Sequence, residues 1–430
     1  MLLMLLLAAG FALTVVVFYP GYITVDAQYV YDDAKAGRLG DWQSPAMGVL
    51  WQLIDPVAPG SVSMFLLTIV LYWSSFAMLA FIALRRSLWL GLLTPFVALA
   101  PPAFFFLGLI WRDVLFGIVW LTAGVLAFSA VSWRTPMRVP VQIIALLMVA
   151  FGVLLRPNAI LAAPVLASYV IWPARFDLRR TAIAFVPATI IFLVLVPLVY
   201  YGALAAKRQN PLHSILVFDL GGITYFIGEN QFPVSWNAQQ TAMLTSVCYN
   251  PVRWDSYWHV PPCPFVMQRL ERPDDVIFGK PLLVQAWQHA LTAHPLAYLA
   301  HRSTFMWQFL ARSNLVLPYL DWEKPGATYG QGRAFQAMLR LHEVLAPTIL
   351  FRPGLWLILA LVIAGLAWPQ RRSPSGAFAI AVTTCATIYV VSFFVFGVAA
   401  DFRYTYWCVL AVLSGAVAAS LERRDLARPP

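Results

Sequence analysis

The chain has 430 residues, of which 61% are hydrophobic and 11% are charged, and its mean hydropathy is +0.73. Soluble domains are about 25% charged and about 45–50% apolar, so this composition excludes a water-soluble globular protein and predicts an all-α, polytopic membrane protein. The 29 Lys and Arg against 19 Asp and Glu give a net charge of +10, which indicates either a nucleic-acid partner or the positively charged side of a membrane protein.

Ten apolar stretches are candidate membrane-spanning helices, because a span needs about 20 mostly apolar residues. In chain order they are residues 2–18, 64–84, 88–111, 114–133, 139–155, 159–173, 181–204, 353–368, 376–399 and 406–421. The first stretch lacks a basic start, and the Phe18-Tyr19-Pro20 sequence after it is no small-residue cleavage site. We therefore expect an uncleaved helix rather than a signal peptide.

Every second loop between these stretches is short and basic, as expected on the cytoplasmic side of a membrane. The basic residues in these loops are Arg85, Arg86, Arg134, Arg138, Arg175, Arg179, Arg180, Arg371, Arg372, Arg423, Arg424 and Arg428. We therefore predict a multi-pass protein of the bacterial inner (plasma) membrane with both termini in the cytoplasm. These loops carry nearly all of the positive excess, so membrane topology accounts for the net charge and nucleic acid is excluded as a partner.

The predicted topology divides the chain into three regions. Residues 1–204 form an N-terminal membrane region with a first outer loop at 19–63, residues 205–352 form an extracytoplasmic segment with juxtamembrane helices, and residues 353–430 hold the last spans and a tail. The middle region contains all six His and also Cys248 and Cys263, for which we expect a disulfide outside the cytoplasm. The sequence has neither a CxxC nor an HExxH motif, so it gives no support for a metal site.

The first outer loop is acidic and predicts two short helices. One begins at Asp26 and ends near Gly37, which places Asp26 and Asp33 on one face, and the other begins at Ser44-Pro45. Two interpretations of Asp26 remain open. It either caps its helix or acts as a general base that takes a proton from an acceptor hydroxyl at the membrane surface.

Three isolated arginines lie in turns on the predicted outer side: Arg112, Arg156 and Arg403. The planar guanidinium group binds phosphate with several donors at once, so a lipid phosphate is one suitable partner. The alternative is that each arginine extends to lipid headgroups or pairs with a neighbouring carboxylate such as Asp113. The occurrence of three arginines on the same side as an acidic loop favours a phosphate-binding site.

These features resemble the GT-C class of integral membrane glycosyltransferases, and the resemblance covers most of the chain. The similar strings are Pro20-Gly21-Tyr22 with Asp26, Trp111-Arg112-Asp113, Leu155-Arg156-Pro157-Asn158, Phe218-Asp219-Leu220-Gly221-Gly222-Ile223, His294-Pro295 with His301-Arg302, and Phe402-Arg403-Tyr404. The resemblance implies a GT-C-like fold and transfer of a sugar from a polyprenyl-phosphate or polyprenyl-diphosphate donor, on the outer face, to a glycan, lipid or protein acceptor.

The resemblance implies a role for Asp26, and the hypothesis of sugar transfer assigns roles to other residues. Asp26 is the expected catalytic base. The donor phosphate is expected at Arg112, Arg156, Arg302 and Arg403, and supporting or acceptor contacts at Tyr29, Asp33, Trp42, Asp113 and His301. No cofactor is expected, and a divalent metal lacks support because the loop does not begin with paired carboxylates. Ser44 precedes Pro45, where related loops often carry a His.

Two other functions are alternatives. An O-antigen ligase or polymerase also has many spans and a large outer segment, and its chemistry would involve His213, His289, His294 or His301 rather than Asp26. A transporter or flippase would be expected to show internal repeats and charged residues in the middle of its spans. We find no clear repeat, and the span centres are essentially uncharged.

Overall fold

A computed structural model of the protein describes residues 1–258, 261–312 and 332–423. The chain is 74% helical and nearly all-α, which confirms the predicted class of secondary structure. In the described ranges, the one sheet is a pair of two-residue strands, β1 (Tyr22–Ile23) and β2 (Leu109–Ile110). The predicted basic tail residues Arg424 and Arg428 lie outside the described ranges.

The chain divides into two compact units. Unit 1 takes residues 1–207, 332–390 and 402–423 of the described chain. Its helices are α1 (Leu2–Phe18), α2 (Val25–Lys35), α3 (Pro45–Ile54), α4 (Ser61–Leu84), α5 (Leu88–Ala98), α6 (Pro101–Phe104), α7 (Arg112–Ala130), α8 (Thr135–Leu155), α9 (Ala163–Ile171), α10 (Leu178–Pro197), α16 (Arg333–Leu345), α17 (Pro353–Ala367), α18 (Pro374–Phe396) and α19 (Tyr406–Arg423).

Unit 2 takes residues 208–258, 261–312 and 391–401 of the described chain, including the last residues of α18. Its other helices are α11 (His213–Ile227), α12 (Ala238–Ser246), α13 (Phe265–Leu270), α14 (Pro281–Ala293) and α15 (Pro295–Ala311). The region that we predicted as one segment, 205–352, is therefore divided, because α16 belongs to unit 1.

Seven helices in the described ranges are long and apolar enough to cross a membrane. They are Ser61–Leu84, Arg112–Ala130, Thr135–Leu155, Leu178–Ala203, Pro353–Gln370, Pro374–Phe396 and Phe402–Leu421, and each contains most of a predicted span. The predicted first helix has the same bounds in the structure, Leu2–Phe18, but with 17 residues it is shorter than these seven.

Two of the ten predicted spans are not continuous helices, and those predictions were wrong in this respect. The stretch 88–111 forms α5, the short α6 and strand β2. The stretch 159–173 begins in the 3₁₀ helix Pro157–Leu161 and continues as the nine-residue α9. Prolines account for both interruptions: Pro101 and Pro102 begin α6, and Pro164 lies in the first turn of α9. Proline has no N–H to donate to the preceding turn of a helix.

The core of unit 1 lies around α7. In the 18-residue apolar stretch of α7, 89% of the residues are buried, whereas in that of Leu178–Ala203 only 6% are buried. Helix α7 packs against α4, α8 and α19. On α8, Gly152 lies so close to Trp120 of α7 that an added Cβ would be 2.0 Å from the indole nitrogen. The close approach of α7 and α8 fixes the end of α8, where Arg156 follows, relative to the start of α7, where Arg112 and Asp113 lie.

Candidate functional site

The short strands bring two helix N-termini together in unit 1. β1 and β2 pair in parallel with Ile23 opposite Ile110, and the Thr24 hydroxyl donates to the Ile110 carbonyl at 3.1 Å. Helices α2 and α7 follow these strands directly, so they begin next to each other. Asp26, the second residue of α2, is therefore near Arg112, the first residue of α7. Helix N-termini carry partial positive charge and favour an anion nearby.

Asp26 is bound from two directions. Its Oδ2 lies 3.0 Å from Nη1 of Arg403, and its Oδ1 accepts a hydrogen bond of 3.2 Å from Nε2 of Gln43. Its side chain nevertheless remains 40% exposed. The N-cap of α2 is Thr24, whose side chain accepts from the backbone of Ala27. The interpretation of Asp26 as a helix cap is therefore wrong, and its carboxylate is available for another role.

Three arginines determine the charge state of Asp26. Burial alone would raise the pKa of the Asp26 carboxyl, but the positive charges of Arg403, Arg112 and Arg156 outweigh it and hold that pKa below its usual value. Asp26 is therefore ionised at neutral pH. A carboxylate with a lowered pKa accepts a hydrogen bond from a hydroxyl readily but has reduced proton affinity.

Aromatic rings hold Arg403 in place. Its guanidinium lies 4.7 Å from the ring centre of Trp111 and 5.1 Å from that of Tyr404, and its Nη2 donates to the Tyr404 hydroxyl at 3.2 Å. The Tyr404 ring also contacts the guanidinium of Arg156, at 4.8 Å. Both arginines therefore share one ring. Cation–π contacts of this kind are stronger where water is excluded.

The positive charges of Arg156 and Arg112 have different partners. Arg156 forms a buried ion pair with Asp113, and the two side chains are 9% and 4% exposed. Arg112 donates to a neutral group, the backbone carbonyl of Trp42, at 3.2 Å. The set of Asp26, Asp113 and the three arginines therefore carries a surplus of one positive charge. We call these five residues the Asp26 cluster.

The rest of the first loop is attached to neighbouring helices. The Ser44 hydroxyl caps α3, as predicted from Ser44-Pro45, and donates to the Leu154 carbonyl at 2.9 Å near the end of α8. The Tyr201 hydroxyl donates to Oδ2 of the buried Asp41 at 2.6 Å. These bonds hold the loop that carries Trp42 and Gln43 against the end of α8, which Arg156 follows, and against the segment after α10.

Three other residues predicted for this site have different surroundings. Tyr29 is 64% exposed on α2. Asp33 lies 3.9 Å from Arg38, and both side chains are largely open to solvent. Trp42 contributes its backbone carbonyl to Arg112. Of the predicted donor and support residues, the structure thus brings Arg112, Arg156, Arg403 and Asp113 together with Asp26.

Arg302 and His301 belong to a different group of residues, in unit 2. Arg302 Nη2 lies 2.7 Å from Oδ1 of Asp219, and Nη1 donates to the Gly397 carbonyl at 2.6 Å. Nε2 of His301 lies 3.2 Å from the same Oδ1, and the Trp287 indole donates to Oδ2 at 2.8 Å. Asp219, His301 and Arg302 are completely buried. Buried pairs of this kind hold helices in register, and here they join α11, α14 and α15.

Burial also sets the state of His301. It lowers the pKa of the imidazole, and Asp219 opposes that effect only in part, so the ring is neutral at neutral pH. Nδ1 lies 3.0 Å from the Tyr249 hydroxyl. An added Cβ on Gly222 would lie 2.3 Å from the imidazole, so Gly at this position is needed for the close approach of α11 and α15. Neither His301 nor Arg302 exposes a surface to a phosphate, and we leave both out of the site.

The cysteines of unit 2 are joined. Cys248 and Cys263 form a disulfide with their Cα atoms 5.5 Å apart, and the Ser256 hydroxyl donates to the Cys248 carbonyl at 2.8 Å. The described residues contain no group of three or more His, Cys, Asp or Glu that is suited to a metal ion.

Sequence reasoning missed three residues that the structure places in these networks. Gln43 binds Asp26, Tyr404 contacts two arginines, and Asp219 is the centre of the buried group in unit 2. Tyr404 and Asp219 lie within short sequences that carry the resemblance to the GT-C class, so the sequence around them indicated a functional region. Gln43 lies in none of these sequences.

Searches against protein-family models, curated proteins and solved structures found no match to this chain. The function proposed below therefore depends on the geometry and charge of the Asp26 cluster.

Proposed function

We propose that the protein is a membrane glycosyltransferase of the GT-C kind. It transfers a sugar from a polyprenyl-phosphate or polyprenyl-diphosphate donor to a glycan, lipid or protein acceptor on the extracytoplasmic face of the bacterial inner membrane. One observation carries the proposal: an ionised, partly exposed Asp26 lies among three arginines in a cluster with a surplus positive charge. Such a cluster suits a reaction between a hydroxyl and a phosphate ester.

The membrane arrangement that we propose has ten crossings with both termini in the cytoplasm. Seven helices have the length and composition for this, and α1, the α5–α6 pair and α9 with its 3₁₀ turn supply the rest. Arg112 begins α7, Arg156 follows α8, and Arg403 lies in the 3₁₀ turn before α19. Their meeting in one cluster supports the inference that these three turns share one side of the membrane.

The donor phosphate is the leaving group, and negative charge develops on it as the bond from the anomeric carbon to the phosphate oxygen breaks. Preorganised positive groups stabilise such charge most when they need not move during the reaction. Arg112 is the strongest candidate, because its hydrogen bond goes to a neutral carbonyl and it lies at the N-terminus of α7. Arg156 is compensated by Asp113 and supports the site through Tyr404.

The acceptor hydroxyl binds to Asp26 in this mechanism. Its oxygen attacks the anomeric carbon, the sugar–phosphate bond breaks with its electron pair remaining on the phosphate, and the hydroxyl proton passes to the Asp26 carboxylate and then to water. Because its pKa is lowered, Asp26 first orients the hydroxyl and accepts the proton late, when the oxygen has become acidic. Gln43 and Arg403 fix the direction of the carboxylate.

The burial of His301 argues against this residue as the base in the ligase alternative. A catalytic base must reach the proton that it removes. His301 is completely buried and engages both ring nitrogens within unit 2, whereas Asp26 is open to an incoming hydroxyl.

The experiment supplies a radiolabelled polyprenyl-phosphate sugar and membrane extract as the acceptor source to the purified protein and to two variants. Asp26→Asn keeps the size and the hydrogen bond from Gln43 but removes the charge, so transfer is expected to fall by about 100-fold or more. Asp33→Asn, on the same helix and exposed, is the matched control and is expected to retain the wild-type rate. Equal rates for all three proteins would remove Asp26 from the mechanism, and no transfer from any polyprenyl donor would refute the proposed activity.

A further inference from the structure

Two basic loops of unit 1 are joined at the ends of their helices away from the Asp26 cluster. One loop connects α9 to α10, and the other connects α17 to α18. The backbone N–H of Phe176 donates to the Arg371 carbonyl at 2.6 Å, and the ring centres of Phe176 and Trp368 are 6.3 Å apart. The two loops therefore form one surface.

This surface is strongly positive. Its charged residues are Arg175, Arg179, Arg180, Arg371 and Arg372, together with one carboxylate, Asp177. Arg175, Arg179, Arg180 and Arg372 are exposed. Arg180 lies 3.5 Å from Asp177, which compensates a single charge. Four positive charges remain, and an anionic partner is the chemistry that suits them.

Aromatic side chains accompany the arginines. The guanidinium of Arg180 lies 5.9 Å from the Trp172 ring centre, and that of Arg371 lies 5.4 Å from the Trp368 ring centre. The two tryptophans are 38% and 40% exposed. A small groove beside Trp172 has Arg175, Arg180 and the carboxylate Asp177 in its lining. Partly exposed tryptophan beside arginine is typical of the headgroup level of a bilayer.

An apolar surface continues from the basic one. Helix α10 begins at Leu178, directly after the loop that connects α9 to α10. Only 6% of the residues in the apolar stretch of Leu178–Ala203 are buried. Leu178 and Ile183 expose most of their side chains. A molecule with an anionic head and long apolar chains would contact both surfaces at once.

We infer that these two loops and the exposed side of α10 bind an anionic glycerophospholipid, with its phosphate among Arg175, Arg180 and Arg371 and its acyl chains along α10. Basic pockets between membrane helices bind such headgroups in this way. The site is distinct from the Asp26 cluster and holds a lipid that is not consumed. It depends on the membrane location of the protein and not on the proposed sugar transfer.

The test measures the midpoint of thermal unfolding of the full chain in nanodiscs of phosphatidylcholine alone and in nanodiscs that also contain phosphatidylglycerol. The loop variant combines Arg175→Gln with Arg371→Gln. The control combines Arg85→Gln with Arg134→Gln, which removes two exposed arginines from other basic loops. Native mass spectrometry of the same proteins counts bound phosphatidylglycerol, and this count remains informative if the loop variant is less stable.

Phosphatidylglycerol is expected to raise the unfolding midpoint of the wild type and of the control, and this increase is expected to disappear in the loop variant. The apparent affinity of the loop variant for the lipid is expected to fall by about 30-fold. An equal increase or equal lipid count in the loop variant would overturn the inference, and so would an equal loss in the control. Stabilisation by inorganic phosphate in phosphatidylcholine nanodiscs would identify a site for a free anion instead.

Discussion

The carboxylate of Asp26 lies 3.0 Å from the guanidinium of Arg403, although 377 residues separate them in the chain. The pair joins the start of α2 to the segment just before α19. It keeps Asp26 ionised and directed, and it keeps Arg403 beside Trp111 and Tyr404. The properties of the proposed base therefore depend on a residue near the other end of the sequence.

The first prediction concerns pH. The pKa of Asp26 lies below 3.8, so sugar transfer by the wild type is expected to lose activity on the acid side only below that pH. In Arg403→Gln the burial of Asp26 is less well opposed, its pKa rises, and the acid limb of kcat/KM is expected to move to higher pH. A pH profile of transfer measures this shift.

The same shift has a consequence for stability. Because the folded-state pKa of Asp26 is lowered, the ion pair contributes stability that is fully present above pH 3.8 and is lost as pH falls through the folded value. The control is Arg38→Gln, which changes an exposed arginine of the same loop. Its pH profile of transfer is expected to match that of the wild type. If the acid limb of kcat/KM lay at the same pH in Arg403→Gln and in the wild type, the assignment of Asp26 as the proposed base would be contradicted.

The second prediction concerns the donor phosphate. Arg112→Gln removes the surplus charge of the cluster but retains a donor for the Trp42 carbonyl. Transfer is expected to fall by about 100-fold, because developing charge on the leaving phosphate loses its main partner. Initial rates at varied donor concentration separate kcat from KM. Arg85→Gln, on another loop, should behave as wild type, and unchanged kinetics in Arg112→Gln would exclude it as the phosphate ligand.

The third prediction separates a structural role of Arg302 from a catalytic one. Arg302→Met leaves the carboxylate of Asp219 buried without its guanidinium partner and is expected to cost about 3–5 kcal/mol of stability. Adding Asp219→Asn removes the buried charge and retains the acceptor for Trp287, so much of this loss should be recovered. Unfolding by denaturant provides the measurement. A double variant that is stable yet inactive in transfer would contradict a purely structural role for this pair of residues.

The fourth prediction concerns the disulfide. The bond between Cys248 and Cys263 closes a loop with a sequence separation of 15, and in the chain-entropy account such a loop contributes about 3 kcal/mol. Cys248→Ser with Cys263→Ser is therefore expected to lower the unfolding midpoint. Cys385→Ser, which changes a buried thiol outside the disulfide, serves as the comparison: reducing agent should lower its unfolding midpoint as it lowers that of the wild type, whereas the double variant should not respond. A wild-type midpoint that is unchanged by reduction would contradict this prediction.

Local features of the fold were predictable from the sequence because their causes are local. The apolar run at residues 2–18 predicted the bounds of α1. Ser44-Pro45 predicted the start of α3, because Ser caps a helix and Pro suits its first turn. The breaks in the stretches 88–111 and 159–173 were also marked by proline, but hydropathy alone hides them, since the residues on both sides are apolar. Periodicity and composition do not distinguish one long helix from two short ones in such a stretch.

The site was only partly predictable because its bonds are long-range. The topology argument placed Arg112, Arg156 and Arg403 on one side, and their isolation on that side was the signal. Arg302 was also expected at the donor phosphate, yet its burial against Asp219 depends on how α11 and α15 pack. The pairing of Asp26 with Arg403 instead of a helix-capping role depends on contacts between distant parts of the chain.

The position of Arg403 and Tyr404 in the sequence gives the cluster an order of assembly. A ribosome makes Asp26, Arg112 and Arg156 long before it makes the dipeptide that contacts two of them. Until then the Asp26 carboxylate lacks the guanidinium that directs it, and Arg156 lacks the ring that it shares. The Asp26 cluster therefore stays incomplete until the turn at Arg403 and Tyr404 has been made, and the proposed sugar transfer is expected only after that step.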